Sequence, residues 1–452
     1  MIKYTFSLFL LLILTFSVIG QSRNSKPNIL IILTDDQGYH DVSYYGTADL
    51  RTPNIDELCK SGMRFDNFYA NSPVCSPTRA SLMSGRYPEM VGVPGLVRSR
   101  PEDNFGYLKP DAVLLPKLLK SANYKTAIVG KWNLGLEKPN IPNEKGFDYF
   151  HGWLDDMMED YWSHLRNGQN FLRENEKIIE PKGHATDLFS DWAVNYIRDQ
   201  KNSKDPFFLY LAYTAPHFPV QPPKDWLTKV KAREPGISER RASLVALIEH
   251  MDDGIGKVVR SLKETGAYEN TIIVFLSDNG GHLEDGANNG NLRDGKESMY
   301  EGGIRVPAFI TWPNQIKAGS VSSETALSMD IYPTLAEIAG AKINHKIDGV
   351  SLLAILKNAD QKLANRPVFF TRREGNLRFG GQTIQAVISG NMKLLQNSPY
   401  APYELYNIYQ DPYEQRNLIS YQIDQYKKLH ELLIKQIKKG GSVPWQKPEN
   451  DN

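Results

Sequence analysis

The chain has 452 residues, 41% of them hydrophobic and 23% charged, with a formal net charge of +1. That length supports a large core and two or three domains. The near-neutral balance excludes an electrostatic case for nucleic acid as a partner.

The first segment, "MIKYTFSLFLLLILTFSVIG" (1–20), has one lysine, a long apolar run and small residues at its end. It reads as a secretory signal peptide with cleavage after Gly20, Val18 and Gly20 taking the −3 and −1 positions. An uncleaved anchor is the alternative. No later window approaches the roughly 18 apolar residues of a span, so no stable membrane anchor is expected. The expected location is a bacterial periplasm or the exterior, where disulfides are permitted.

"PNILIILTDD" follows, a β-branched run ending in Asp35 and Asp36, and reads as a buried parallel strand. "NIDELCKSGMRF" reads as a helix ending at Gly62, with Cys59 as a small buried residue. In "SPVCSPTRASL" (72–82), Pro77 reads as a position near N1 of a helix that ends near Gly85. Cys75 stands just before it; a Cys59–Cys75 bridge is the other use for these two thiols. Three more strand-like runs occur at 125–132, 206–217 and 271–281, with helical patterns between them, as in "ATDLFSDWAVNYIRDQ" and "ERRASLVALIEHMDDGIGKVVRSLKETG". This alternation predicts an α/β fold, a large mostly parallel mixed sheet sandwiched by helices. The expected catalytic domain spans 24–360. A smaller α+β subdomain with a short antiparallel sheet is expected over 361–446, and a disordered tail over 447–452.

Polar chemistry gathers just beyond the strands. Asp35 and Asp36 end the first, Lys131 the second, His217 the third, and Asp278 and Asn279 the fourth. Ligand sites of open parallel sheets lie beyond the strand carboxyl ends, so one fold brings these distant residues to one edge. The acids and amide are hard oxygen donors, suited to Ca²⁺ or Mg²⁺; helix caps and turns are the plainer role for any one Asp. A divalent ion ringed by Arg79, Lys131, His217 and Lys296 suits a tetrahedral oxyanion ester. Cys75 would lie at the positive end of its helix, facing that anion.

"CSPTR" followed by "ASLMSGRYP" resembles the signature of the type I, formylglycine-dependent sulfatases of the alkaline phosphatase-like superfamily. "GKWNLG", "PHFP", "SDNGG", "GKESMYEGGIRVP" and "YELYNIYQDPYEQRNL" resemble the same family in the expected order, from about residue 27 to 420. The resemblance implies that Cys75 is converted to formylglycine by a formylglycine-generating enzyme. It implies one Ca²⁺ held by Asp35, Asp36, Asp278, Asn279 and the modified Cys75. Arg79 and Lys131 would support the formylglycine and the sulfate, and His217 and Lys296 would contact the sulfate and its ester oxygen. The hydrated aldehyde would attack sulfur through one hydroxyl and expel sulfate through the other.

One position departs from the family pattern. Asn133 in "GKWNLG" stands where a histidine is usual, and an amide cannot take up a proton near neutral pH. Specificity is expected from rim loops at 95–107, 150–171, 282–295 and 372–382. Trp153, Tyr161 and Trp162 are candidates to stack on sugars, and Asp155, Asp156 and His164 to bind hydroxyls; packed loop anchors are the alternative. Arg98, Arg100, Arg372 and Arg373 are candidates for extra sulfates or uronic acids, or are solvated surface. These features together predict an exported hydrolase of a sulfated carbohydrate. A phosphoryl hydrolase of the same superfamily and a non-catalytic sulfoglycan binder are the competing classes.

Overall fold

The computed structural model describes residues 26–374 and 381–447. The leader and its cleavage site, residues 448–452 of the expected tail and residues 375–380 of the last rim loop lie outside the described residues. No helix among the described residues is long and apolar enough to cross a membrane.

The four apolar runs form adjacent parallel strands. Thr271–Ser277, Asn28–Thr34, Phe207–Ala212 and Lys125–Lys131 lie side by side in that order. Almost every residue in them is buried, which is why the sequence reads as continuous apolar runs rather than alternation. Six further strands complete a mixed ten-stranded sheet. Ser320–Ser322, Met63–Phe65 and Ala308–Thr311 extend one side; Tyr149–Trp153, Leu172–Glu174 and Lys177–Ile178 extend the other.

Register decides where the chemistry falls. Thr34 pairs with Ser277, Leu33 with Ala212, and Ala212 with Gly130. The residues that follow, Asp35, Asp278 and Lys131, therefore leave the sheet in one row. Gly130 has φ 102°, and a Cβ there would sit 1.9 Å from the Ala212 carbonyl oxygen. Any side chain at 130 would force apart the strands that present Lys131 and His217.

A second, four-stranded antiparallel sheet is built from Val368–Arg373, Thr383–Ser389, Met392–Gln396 and Glu404–Asn407. The helix Ile423–Gly440 covers one face, packing Leu429 and Leu433 against Val387, Leu394 and Leu405. The other face meets the segment that follows the Thr271–Ser277 strand in the chain. Lys393 is buried there between Glu301 at 2.9 Å and Glu414 at 2.8 Å. Arg293 donates to the Tyr406 hydroxyl, and the Met299 amide donates to Asn397. The small sheet thus clamps residues 293–301, the segment that carries Lys296.

Candidate active site

Cys75 opens the helix Cys75–Ser84, so the helix begins two residues before the expected Pro77 start. Val74 holds an extended conformation at its N-cap, and Gly85 closes it in the left-handed region at φ 67°. Cys75 is buried, and its Sγ donates to Asp35 Oδ1 at 3.3 Å. Both cysteines are free thiols, which removes the Cys59–Cys75 bridge. Burial, with Asp278 and Asp35 nearby, pushes the Cys75 thiol well above its ordinary value. The unmodified side chain is therefore a protonated thiol and a poor nucleophile.

Around it lies a buried charge network. Lys131 Nζ donates to Asp35 Oδ2 at 2.6 Å. Arg79 Nε and Nη2 both donate to Asp278 Oδ2, at 3.0 and 2.8 Å, and Nη2 lies 3.6 Å from Asp35. Lys296 Nζ donates to Asp36 Oδ2 at 2.7 Å, and His217 Nε2 lies 3.5 Å from the same oxygen. Burial opposes the Asp35 charge, yet Lys131, His217, Arg79 and Lys296 hold its pKa below the usual carboxylate value. Asp278 goes the other way: burial and the Asp35 charge push it up to about 7. Burial and Lys296 push His217 down, against the pull of Asp36. Lys296 is raised: burial opposes its charge, and Asp36 more than offsets that.

Three carboxylates crowded out of water are costly unless a cation lies among them. The ligand atoms of Asp35, Asp36, Cys75 and His217 lie within 4.8 Å of one another. Asn279 Nδ2 donates to Asp36 Oδ1, while its buried Oδ1 has no hydrogen-bond partner among the described residues. An orphaned amide oxygen beside carboxylates is a donor set for a hard divalent ion. Asp278 sits at the edge of this group, Oδ2 taken by Arg79 and Oδ1 accepting from the Asp36 amide. Asp36 itself has φ 66°, a left-handed conformation that turns its carboxylate back toward Lys296 and His217.

The network floors a cavity of about 580 Å³ lined by Asp36, His217 and Lys296 at its base. Arg98, Arg100, Asp156, Arg166, Asn167 and His282 line its walls and mouth. This is the size and polarity of a site for a small polar ligand.

Known proteins carry the same pattern. A family model described as Sulfatase matches residues 27–341. A second, described as N-sulphoglucosamine sulphohydrolase, C-terminal, matches residues 293–441. The chain is 34% identical over 407 residues to N-acetylgalactosamine-6-sulfatase of Sus scrofa, covering 85% of this chain and 74% of that one. The chain belongs to the sulfatase family. It is a sulfuric ester hydrolase with the alkaline phosphatase-like fold. A sulfatase of Formosa agariphila is 30% identical, covering 92% of this chain and 88% of its own. The crystal structure of Ps i-CgsB in complex with k-i-k-neocarrahexaose superposes with a TM-score of 0.83 at 34% identity, covering 93% and 94% of the two chains.

Several residues of this sulfatase expected at the substrate lie elsewhere. Trp153 is fully buried: it pairs in register with Lys131 and packs edge-on against Phe171, so it has no face for a sugar. Tyr161 is buried too, and its hydroxyl donates to the carbonyls of Thr214 and His217, bracing the His217 turn. His164 is buried against the Gly183 carbonyl. Asp155 is buried, and burial with Asp156 next to it pushes its carboxyl up to about 7. Trp162 is exposed but lies off the cavity, edge-on to His184. Arg372 is buried between Glu297 at 3.1 Å and Glu374 at 3.3 Å, where it positions the residue next to Lys296. Arg373 lies off the cavity, its amide bonded to the Pro94 carbonyl. Of the expected substrate residues, Asp156 reaches the cavity, as do Arg98 and Arg100.

Sequence reasoning missed Arg166 and His282. His282 Nδ1 pairs with Asp285 Oδ2 at 2.7 Å on the cavity wall. Its signal was present: it stands directly after "SDNGG". Arg166 comes from a short hairpin, Leu165–Arg166 with Gln169–Asn170, whose turn residues Asn167 and Gly168 both have positive φ. An Asn-Gly pair is the signature of such a turn.

Asn133 is buried, with φ 57°, and its Nδ2 donates to the Val97 carbonyl at 2.9 Å. Its Oδ1 has no partner among the described residues. The amide therefore ties the 95–107 loop, which lines the cavity, to the end of the Lys125–Lys131 strand. For Asn133→Ala we expect a stability loss of about 1–2 kcal/mol, from the lost hydrogen bond and left-handed strain, read as a lower Tm. Sulfate release should fall by roughly tenfold, from a displaced cavity wall. Unchanged turnover with unchanged Tm would leave the position without a role.

Proposed function

We propose that this chain is an exported carbohydrate sulfatase that uses Ca²⁺ and a formylglycine made from Cys75. The observation that carries this reading is the placement of Cys75 at a helix start, its Sγ 3.3 Å from Asp35 and within 4.8 Å of ligand atoms of Asp36 and His217, which line the cavity. Asp35, Asp36, Asp278, Asn279 and the modified residue 75 would hold the ion, which supplies a fixed positive charge opposite the sulfuryl oxygens. Formylglycine supplies the nucleophile that the buried thiol cannot, and its maturation calls for a formylglycine-generating partner enzyme.

The chain's own residues then divide the work. Arg79 fixes the Asp278 carboxylate with two hydrogen bonds and leans on Asp35, so both acids stay aimed at the ion. Lys131, wholly buried, offsets the Asp35 charge and adds a cation beneath the sulfate. His217 and Lys296 face the cavity, where the ester oxygen arrives. Lys296 Nζ keeps its proton through its contact with Asp36 and is placed to give it to the departing alcohol. The small C-terminal sheet, proposed as a separate subdomain over 361–446, holds that lysine in place.

The sugar substrate is a galactose- or hexosamine-type unit. Support comes from the relative named N-acetylgalactosamine-6-sulfatase and the related structure in complex with k-i-k-neocarrahexaose, and from a cavity lined mostly by charged side chains. Residues 1–20 direct export to the periplasm or beyond. The test is sulfate release from a panel of sulfated galactose, galactosamine and glucosamine oligosaccharides by protein produced with its maturation enzyme. Release from at least one of them is expected. Release from none, alongside hydrolysis of a phosphate ester, would overturn the reading.

A further inference from the structure

Six basic side chains line the cavity among the described residues, and five of them have a carboxylate within ion-pair distance. Lys296 and His217 share Asp36, and His282 has Asp285. Arg98 has Glu374 at 2.9 Å, and Arg166 lies 3.6 Å from Asp156 and 3.4 Å from Glu159. Arg100 differs. Its Nη2 donates to the amide oxygen of Asn167 at 2.8 Å, with no carboxylate beside it among the described residues. That oxygen is neutral, so the Arg100 charge is left uncompensated at the cavity mouth.

The position of this charge is built rather than incidental. Arg100 stands on the 95–107 loop, and Asn167 is at the turn of the Leu165–Asn170 hairpin; both residues are exposed and line the cavity. The two segments meet at the cavity through this hydrogen bond. The hairpin turn is in turn held by the Asn167 amide, which donates to Glu159. Asp36 and Lys296 line the same cavity and are far less exposed, 4% and 11% for their side chains. A ligand whose scissile sulfate reaches Lys296 therefore shares this cavity with Arg100. A guanidinium is the side chain best matched to a planar or tetrahedral oxyanion by paired N–H donors.

We propose that Arg100 is a specificity-determining residue that binds a second anionic group on the substrate, so that this site selects glycans with two negative charges. The inference rests on the sulfatase reading of the same cavity. A second sulfate ester and a uronate carboxylate share the required chemistry.

The test compares three galactose-type disaccharides: one with a single sulfate, one with two sulfates, and one with a sulfate and a uronate carboxylate. Binding is measured by calorimetry on full-length Cys75→Ala protein, with and without Arg100→Gln. Arg100 is exposed, so the substitution leaves the core untouched. We expect Arg100→Gln to weaken a doubly anionic ligand about tenfold or more beyond its effect on the singly sulfated one. The ligand affected identifies the second group as sulfate or carboxylate. An equal effect on all three, no effect, or no binding of any would overturn the inference. Sulfate release by the unsubstituted enzyme is assayed separately. Release without Arg100-dependent discrimination sinks this inference alone; discrimination without release sinks the hydrolytic reading and leaves this one standing.

Discussion

Cys75→Ala abolishes sulfate release while leaving the fold intact. The loss should be on the order of 10³-fold or more, as for other enzymes deprived of their nucleophile. The side chain is small and buried, so its removal costs about 1 kcal/mol of packing and Tm falls by a few degrees at most. Peptide mass spectrometry of active protein should show residue 75 with its sulfur and two hydrogens lost and one oxygen gained. The physical reason is the environment: carboxylates and burial keep the thiol protonated, and a hard-ligand site has no use for it. An unmodified cysteine in fully active protein would end the proposed mechanism, and so would an active alanine variant.

Removal of the divalent ion is the second large effect. Chelation should abolish sulfate release and lower Tm, and Ca²⁺ should restore both. An ion present at a hundredfold excess over Kd stabilises the folded chain by about 2.7 kcal/mol. Asp36→Asn is the sharper variant. Asparagine tolerates the left-handed φ of 66° at this position, so the backbone is not strained and the substitution removes only charge. The Lys296 ammonium would then lose its carboxylate partner at 2.7 Å. The Ca²⁺-induced rise in Tm should shrink and sulfate release should fall at least a hundredfold. Activity indifferent to chelator, or an unaltered Ca²⁺ response in Asp36→Asn, would remove the ion from the mechanism.

Much of this site was legible in the chain itself, for identifiable reasons. Strands buried on both faces leave β-branched and apolar runs, so the starts of Asn28–Thr34, Lys125–Lys131, Phe207–Ala212 and Thr271–Ser277 could be read to within a residue, while the runs at 206–217 and 271–281 overran the strand ends Ala212 and Ser277 into the site loops. Parallel strands must present their carboxyl ends together, so Asp35, Asp36, Lys131, His217 and Asp278 could be expected to converge. The helix start was less legible. Pro77 reads as an N1 signal, whereas the helix already begins at Cys75, and proline is tolerated anywhere in the first turn because those amides have no helical partner.

The aromatic and basic loop residues misled for a different reason. Trp153, Tyr161 and Arg372 have the composition of a sugar-binding rim, yet one fills the core beside Lys131, one braces the His217 turn and one is buried between two glutamates. Side-chain type sets which contacts a residue can make, and the sequence by itself determined the fold class, the acids at the strand ends and the cysteine at the helix start. Only the tertiary structure decided which charges are already paired. Arg98 turns to Glu374, while Arg100 among the described residues meets an amide and no carboxylate, because these pairings depend on distances between loops more than 60 residues apart in the chain. No local pattern encodes those distances.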